Sequence, residues 1–210
     1  MSKTYETFCF EHEPDWKKVS VGKIDCFQWE EKVPFRPQSD FQMCFVKNKG
    51  IFVKMHSNEK ERRVTCRGRD ESVWEDSCLE FFFSPRDDKG YMNTEMNPCG
   101  AYLTQIGKGR ENRRFLKEIT PLSPEVKGFE DENGWGIELF IPCEVIEKAF
   151  EIPFSAEAGT YHGNFYKCGD KTKAPHFGSF SPMRSELTLG FHDPEFFATI
   201  SVKEDVTKNG

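Results

Sequence analysis

Residues 78–83 read Cys-Leu-Glu-Phe-Phe-Phe and residues 91–97 read Tyr-Met-Asn-Thr-Glu-Met-Asn, and these two runs decide the fold class. The first run is followed by Pro85 and the second by Pro98. Proline lacks the backbone donor that a sheet ladder needs, so both runs read as strands that end there. Side chains of a strand alternate between its two faces, so each run has one apolar face and one face that carries polar side chains.

Short β-rich runs of the same kind follow one another along the chain. Asn48 to Gly50 separates two of them, which is typical of a β-hairpin. Residues 142–150 form the one predicted helix, because Pro142 suits a first helical position and a short apolar stripe follows it. Residues 107–131 are polar and irregular, which predicts a loop. The predicted strands cover residues 41–46, 51–56, 78–83, 91–97, 102–106, 135–141, 161–168 and 196–202.

The whole chain, residues 1–210, is predicted to be a single all-β domain. Short strands at regular spacing, with turn signals between them, favour an antiparallel β-sandwich with one short helix. The 21 phenylalanines and the aromatic fraction of 14% support this class, because aromatic side chains favour strands and bury large areas. With 37% hydrophobic residues, the chain has enough apolar mass for a core.

The composition disfavours several classes of partner. Lys and Arg number 29 and Asp and Glu 35, and the net charge of −6 is unsuited to nucleic acid or an anionic membrane. No run approaches the ~20 apolar residues of a membrane span. Residues 1–6 lack the pattern of a secretion signal, so we expect a cytoplasmic protein, or a secreted one if a signal has been removed. The eight cysteines include no Cys-x-x-Cys spacing, and we expect small buried hydrophobes rather than disulfides.

Polar side chains on the strand faces predict a surface that recognises hydroxyl groups. Amides both donate and accept hydrogen bonds, as a sugar hydroxyl does, and carboxylates accept them. Trp74 lies in a polar loop before the first run and is a candidate stacking platform. A solvated outer sheet face, and a tryptophan folded onto the sandwich edge, are the alternatives. The other candidate ligand-binding residues are Asp76, Glu80, Tyr91, Asn93, Glu95, Asn97, Asn164, Tyr166 and, in the loop 169–182, His176.

Acidic residues in the loops make structural calcium a candidate cofactor. Calcium prefers carboxylate and carbonyl oxygens, which such loops supply. Their spacing is not that of an EF-hand, so a solvated acidic loop is the alternative. The candidate calcium ligands are Asp70, Asp76, Asp87 and Asp88.

Several of these segments resemble family 9 carbohydrate-binding modules. Residues 74–82 are similar to the Trp-x-x-Asp-Ser-x-Glu-x-Phe segment of that family. Residues 164–170, which read Asn-Phe-Tyr-Lys-Cys-Gly-Asp, look like the family-9-like branch, and the two segments together are fairly specific. The resemblance runs from about Phe41 to Val202 and also includes residues 91–97, 134–142, 175–177 and 191–197.

The resemblance implies an immunoglobulin-like β-sandwich that binds sugars without cleaving them. In xylanase-linked members a terminal sugar lies between two tryptophans, while amides, carboxylates and an arginine hold its hydroxyls and calcium ions are structural. By motif position, Trp74 corresponds to the first tryptophan and Phe180 to the second. Asn93 lies near the position of the arginine. The implied partner is a mono- or oligosaccharide, with a link to polysaccharide breakdown.

Three other functions stay open at this stage. Glu80 and Glu95 could face each other on neighbouring strands at a separation that a glycosidase uses. Met183 with His176 or His192 could hold a haem, as in related sandwich domains of electron-transfer proteins. A structural interaction module without a small ligand is the third.

Overall fold

The computed structural model describes residues 2–29, 33–183 and 191–206, and the strands dominate this part of the chain. The one α-helix in it, α1 (Cys143–Phe150), is too short to cross a membrane. Short 3-10 turns lie at Val73–Glu75, Asp87–Lys89, Leu116–Glu118 and Pro194–Phe196. The strands are β1 (Thr4–Phe10), β2 (Gly22–Lys23), β3 (Ser39–Val46), β4 (Gly50–Ser57), β5 (Cys78–Ser84), β6 (Tyr91–Met96), β7 (Tyr102–Gly107), β8 (Arg114–Phe115), β9 (Glu125–Asp131), β10 (Gly134–Pro142), β11 (Gly159–Cys168), β12 (Phe177–Ser179) and β13 (Ala198–Glu204).

The strands form one mixed sheet. Its order is β8-β7-β6-β5-β11-β13-β1-β3-β4-β10-β9, with β12 paired to β11 and β2 to β3. β1 runs parallel to both of its neighbours, β13 and β3, while the remaining pairs are antiparallel. The mostly-β class with one short helix is confirmed. The prediction of a wholly antiparallel sheet is wrong, because β1 lies between two strands, β13 and β3, that run parallel to it. The immunoglobulin-like layout stays a prediction.

Local sequence accounts for the elements that were predicted. The β3–β4 hairpin turns through Asn48, whose φ is 56°, and Gly50, whose φ is 152°, so the turn needs residues that tolerate positive φ. The predicted helix is confirmed: Pro142 caps the start of α1, and Glu151 ends it in the left-handed conformation with φ 54°.

The prediction of a loop at residues 107–131 is wrong where the short strand β8 (Arg114–Phe115) pairs with β7, and for its last part. β9 pairs with β10 from Glu125 to Asp131. Its sequence, Glu-Val-Lys-Gly-Phe-Glu-Asp, lacks an apolar run because β9 is an edge strand with several exposed side chains. A strand of this kind buries too little to show a clear alternation of apolar and polar residues.

The sheet curls so that distant strands face each other across one apolar core. β3 and β5 are four places apart in the sheet, which corresponds to roughly 19 Å in a flat sheet. The rings of Phe45 on β3 and Phe83 on β5 nevertheless have centroids 6.2 Å apart. Phe41 and Phe165 stack at 3.5 Å in the same core. The two halves of the sheet therefore act as the two layers of a sandwich.

A second, smaller apolar cluster lies on the opposite side of β5 and β11. Phe82 and Tyr166 belong to it, while their chain neighbours Phe81 and Phe165 belong to the main core. Every residue of β5 is buried, as are the last six residues of β11. These two strands are therefore covered on both faces, which fixes the position of the polar side chains they carry.

A buried ion pair connects β11 with the neighbouring segments of the chain. Lys167 Nζ lies 3.0 Å from Glu59 Oε2, and both side chains are almost fully buried. The ammonium also donates to the Cys168 carbonyl at 2.8 Å and to His176 Nε2 at 2.6 Å. Glu59 accepts from Ser77 Oγ at 2.9 Å and from Trp135 Nε1 at 3.3 Å.

His176 completes this network as a neutral imidazole. Its Nδ1 donates to the Ala174 carbonyl at 2.8 Å, and its Nε2 accepts from the Lys167 ammonium. Burial, reinforced by the positive charge of Lys167, lowers the pKa of His176 to about 4. Protonation would set a second positive charge against the ammonium inside the protein.

We expect Lys167→Met to destabilise the fold by ~3–5 kcal/mol, because it leaves the Glu59 carboxylate buried without its cation. The double variant Glu59→Gln/Lys167→Met should recover part of this loss, since it removes both charges. Urea denaturation of the two single variants and the double variant measures the coupling. Lys173→Met, which breaks the exposed Lys173–Glu61 pair, is the control and should cost ~0–1 kcal/mol. Equal effects of Lys167→Met and Lys173→Met would contradict the central role of the buried pair.

Stability should fall as the pH drops from about 6.5 towards about 4, partly through His176. In this window the unfolded chain takes up a proton at this imidazole and the native state does not, so proton binding favours unfolding. His176→Gln keeps a donor and an acceptor but no longer titrates. Its melting temperature should therefore depend less on pH across this window than that of the unmodified protein. His12→Gln, at an exposed histidine, should leave the pH profile unchanged.

Candidate functional site

A cavity of about 350 Å³ opens beside β5 and β11, the two strands that are covered on both faces. Its floor comes from β5, β6 and β11 through Glu80, Glu95 and Cys168. Its walls come from the 3-10 turn Val73–Glu75, from β7, from the segment between β7 and β8, and from the chain on either side of β12. The volume is at the lower end of small-molecule sites, which span ~300–1,000 Å³.

Two buried carboxyl groups form the floor. Glu80 on β5 and Glu95 on β6 are directly paired positions in the ladder, and their side chains are 3% and 4% exposed. Burial raises the pKa of both groups, and the proximity of Glu95 raises that of Glu80 further. The floor therefore retains protons towards neutral pH and can offer both carboxyl donors and carboxylate acceptors.

An arginine and an amide hold one of these carboxyls in a fixed orientation. Arg113 donates to Asn93 Oδ1 through Nε at 3.1 Å and through Nη2 at 2.5 Å, and its guanidinium lies 4.3 Å from the centre of the Tyr91 ring. The Asn93 amide in turn donates to Glu95 Oε1 at 2.7 Å. Glu95 Oε2 has no hydrogen-bond partner among the described residues, although it is buried. This oxygen is left available to a ligand.

Aromatic side chains form the walls. Trp74 is 37% exposed, which is unusual for so large an apolar residue. Phe191 lies against Tyr166, with ring centroids 4.2 Å apart, and Tyr91 Oη lies 2.9 Å from His192 Nδ1. Burial and the charge of Arg113 lower the pKa of His192 to about 3, so this imidazole is neutral at physiological pH.

Comparison with known proteins identifies the family. The sequence profile described as carbohydrate-binding family 9 matches residues 10–202. The chain belongs to carbohydrate-binding family 9. The resemblance inferred from residues 74–82 and 164–170 is therefore confirmed. No curated protein matches the chain at a significant level.

Solved structures share the fold over almost the whole chain. A candidate carbohydrate-binding protein from Bacteroides uniformis is 29% identical, with a TM-score of 0.76 and coverage of 96% of this chain and 98% of that one. A family 9 module from Caldicellulosiruptor kristjanssonii in complex with cellotriose is 10% identical, with a TM-score of 0.65 and coverage of 100% and 97%. A complex of a family 9 module from the same organism with glucose is 11% identical, with a TM-score of 0.63 and coverage of 100% and 98%.

The structure brings some of the predicted ligand-binding residues together at the cavity. Trp74, Glu80 and Glu95 line it. Three others stand directly behind the lining and hold it in position: Tyr91 bonds to His192, Asn93 to Glu95 and Arg113, and Tyr166 to the Phe191 carbonyl. The five remaining predicted residues, which do not line the cavity, are Asp76, Asn97, Asn164, His176 and Phe180.

Asp76 and Asn97 anchor the segment before β5 rather than face the cavity. Asp76 accepts hydrogen bonds from the backbone of Thr65 and Cys66 and from Asn97 Nδ2, all within 3.0 Å. Burial opposes ionisation here, but these hydrogen bonds outweigh it and lower the pKa of Asp76. Asn164 likewise serves the fold, since its amide exchanges two hydrogen bonds with the backbone of Ser181.

Phe180 lies in the main core of this family 9 domain. Its ring packs against Phe41 at 5.0 Å and Tyr5 at 6.2 Å, on the far side of β11 from Tyr166. It therefore does not face Trp74 across the cavity. The aromatic side chains that do line the cavity with Trp74 are Phe177 and Phe191.

Sequence reasoning missed several lining residues. Gln105 could have been found, because it lies opposite Asn93 in the β6–β7 ladder and so extends the same polar face. Arg113 lies in the polar stretch predicted as a loop, where no local pattern marks it. Its guanidinium donates to Asn93 Oδ1. The other lining residues that were missed are Arg110, Cys168, Asp170, Phe177, Phe191 and His192.

The carboxylates predicted to bind calcium do not converge on a common site in the described parts of the chain. Each lies beside a different basic side chain: Asp70 beside Lys117 at 3.1 Å, Asp76 beside Arg63 at 3.4 Å, Asp87 beside His162 at 2.7 Å and Asp88 beside Arg86 at 2.6 Å. These residues do not fit a shared calcium ion, and calcium binding stays a prediction without a site. For the haem alternative, His176 has both ring nitrogens in hydrogen bonds within the protein.

We expect Phe180→Trp to destabilise the protein by ~1–3 kcal/mol, because a larger ring overpacks the core around Phe41. The affinity for a ligand of the cavity should stay unchanged. Thermal melts and ligand titrations of the same sample measure the two effects. Phe177→Trp changes an aromatic residue that lines the cavity and is the matched comparison. A Phe180→Trp variant with unchanged stability and tighter ligand binding would contradict the core position.

Proposed function

We propose that the protein binds the end of a glycan, or a free mono- or oligosaccharide, in this cavity without cleaving it. The observation that carries the proposal is a partly exposed indole beside two buried carboxyl groups, one of which has an oxygen without a partner. One face of the sugar ring would lie against Trp74, and its hydroxyl groups would reach the floor.

The chemistry of the lining suits a pyranose ring. The axial C–H groups of a sugar are weakly positive and meet the negative face of an aromatic ring favourably. Its hydroxyl groups both donate and accept, so they need a mixed set of partners. Arg113 donates, Glu95 accepts at Oε2, and Gln105 does both. Buried polar groups that gain their hydrogen bonds only from a ligand disfavour apolar molecules of the same size, because such molecules would leave these groups unpaired.

The structural neighbours support this choice of ligand. The two Caldicellulosiruptor kristjanssonii structures contain cellotriose and glucose, so these two sugars are the first ligands to test. The cavity, at about 350 Å³, is small among ligand sites. It therefore has room for the terminal unit of a glycan rather than for several units from the middle of a long chain.

Binding without hydrolysis is supported by the arrangement of the two carboxyl groups. A glycosidase places its acid and its second carboxylate on opposite sides of the scissile bond. Glu80 and Glu95 instead both belong to the floor of the cavity. Burial also raises the pKa of both, whereas a glycosidase keeps one of its two carboxyls ionised.

We expect Trp74→Ala to weaken binding of glucose or cellotriose by more than tenfold, about 1.4 kcal/mol or more, because the sugar loses its stacking surface. The melting temperature should change little, since Trp74 is partly exposed. Titration calorimetry and a thermal melt measure the two effects. Trp16→Ala, at a tryptophan that lines a different groove, is the control and should keep full binding.

Three results would contradict the proposal. The first is a wild-type protein that binds neither these sugars nor any member of a glycan array, which would favour a structural interaction module. The second is sugar binding that Trp74→Ala leaves intact. The third is release of the chromophore from aryl glycosides that is abolished by Glu80→Gln and Glu95→Gln, which would show catalysis by the floor.

A further inference from the structure

Three side chains with metal-binding chemistry meet at or just below the floor of the cavity, and two of them, Glu80 and Cys168, line it. The Sγ atoms of Cys78 and Cys168 and a carboxylate oxygen of Glu80 all lie within 4.8 Å of one another. All three residues are buried. Within residues 2–29, 33–183 and 191–206, this is the one group of three or more His, Cys, Asp or Glu side chains close enough to share an ion.

The sheet register creates this cluster. Cys168, the last residue of β11, is the direct ladder partner of Cys78, the first residue of β5. Glu80 follows Cys78 by two positions, so its side chain emerges on the same face of the strand. Cys168 Sγ lies 2.9 Å from Glu80 Oε1. Because both strands are packed on both faces, these positions are fixed by the fold rather than by a flexible loop.

The set of donors is selective for one class of cation. Two thiolates and one carboxylate match the ligands of zinc, which binds sulfur at ~2.3 Å and carboxylate oxygen at ~2.0–2.2 Å. In tetrahedral geometry, neighbouring ligand atoms are then roughly 3.8 Å apart, which is within the spread of this cluster. Calcium and magnesium prefer sites made of oxygen alone, so the two sulfurs disfavour them.

The surroundings provide access and a further negative group. Glu80 and Cys168 line the cavity, so an ion can reach the cluster from solvent. Glu95, the ladder partner of Glu80, also lines the cavity and has a buried carboxyl oxygen without a hydrogen-bond partner in the described residues. Cys9, Cys44 and Cys143 lie by contrast in the main apolar core.

We propose that Cys78, Glu80 and Cys168 form a binding site for a thiophilic divalent cation such as zinc, with one coordination position open towards the cavity. Binding releases the thiol protons to solvent. The open position is filled by water or by a hydroxyl group of a molecule in the cavity. This site does not depend on the proposed sugar function, since its three protein ligands are in place without a sugar and water can fill the open position.

Metal titration of the full chain tests the proposal. The protein is reduced, stripped with EDTA, freed of chelator and titrated with Zn²⁺ against a chromophoric chelator. We expect one zinc ion per chain, and Co²⁺ should give the thiolate charge-transfer absorption and the intense visible bands of a tetrahedral site. Cys78→Ser, Cys168→Ser and Glu80→Gln should each weaken zinc binding by more than the ~10–100-fold typical of losing an outer-sphere partner.

Matched variants separate this site from other thiols and from sugar binding. Cys143→Ser removes a buried cysteine elsewhere and Cys99→Ser removes an exposed one, and both should leave zinc affinity unchanged. Trp74→Ala should keep zinc binding even where sugar binding is lost, so the two proposals fail independently. If Cys78→Ser does not fold, the Co²⁺ spectrum of the unmodified protein and of Cys168→Ser decides. The absence of a thiolate band, or stoichiometric zinc binding that survives Cys168→Ser, overturns the proposal.

Discussion

The ion pair between Lys167 and Glu59 is the constraint on which the arrangement of the site depends. It joins the chain just beyond β4 to β11, and through Ser77 and Trp135 it also reaches the start of β5 and the strand β10. A buried pair of this kind contributes little net stability compared with apolar side chains of the same volume, but removing one member is costly. Its effect here is positional, because it holds β5 and β11 in a single register. Cys168, the next residue after Lys167, takes its place on the cavity floor from that register.

The floor of the cavity shows how a rigid fold can hold groups that oppose stability. Glu80 and Glu95 are paired directly across the β5–β6 ladder and are almost fully buried, an arrangement that favours their neutral forms. Arg113 donates a hydrogen bond to Asn93, and Asn93 donates one to Glu95 Oε1. The other oxygen, Glu95 Oε2, has no hydrogen-bond partner among the described residues. Incompletely satisfied polar groups of this kind are tolerated where a ligand completes them, and strands covered on both faces keep them from relaxing. Trp74 is a similar case among apolar residues: its large side chain stays partly exposed, which does not help stability but leaves a surface for a ligand.

Alternation of side chains along strands was the most informative sequence signal. It placed Glu80 and Glu95 on one surface, and the same rule applied to β7 would have added Gln105. It failed for Asp76 and Asn97, because a polar residue on the right face can serve a neighbouring loop as well as a ligand. Phe180 was predicted to face the ligand only because its motif position corresponds to the second tryptophan of the family. A motif position does not tell whether the side chain points into the core or into the cavity, and the Phe180 ring lies in the core. Arg113 could not be predicted, because it reaches the site from a segment whose conformation is set by tertiary contacts.

The strand β1 has a consequence for how the polypeptide acquires its structure during synthesis. Within the part of the chain that the structure describes, β1 joins the half-sheet ending in β13 to the half-sheet beginning with β3, and its register pairs Thr4 with Thr199. Contacts between residues so far apart along the chain form slowly, because closing long loops is entropically unfavourable. On the ribosome, β1 is synthesised well before β13 and must wait for it before the two layers can be joined. Until then the edge of β1 that faces β13 in the folded protein is open, and chaperone binding to nascent chains would be expected to concentrate there.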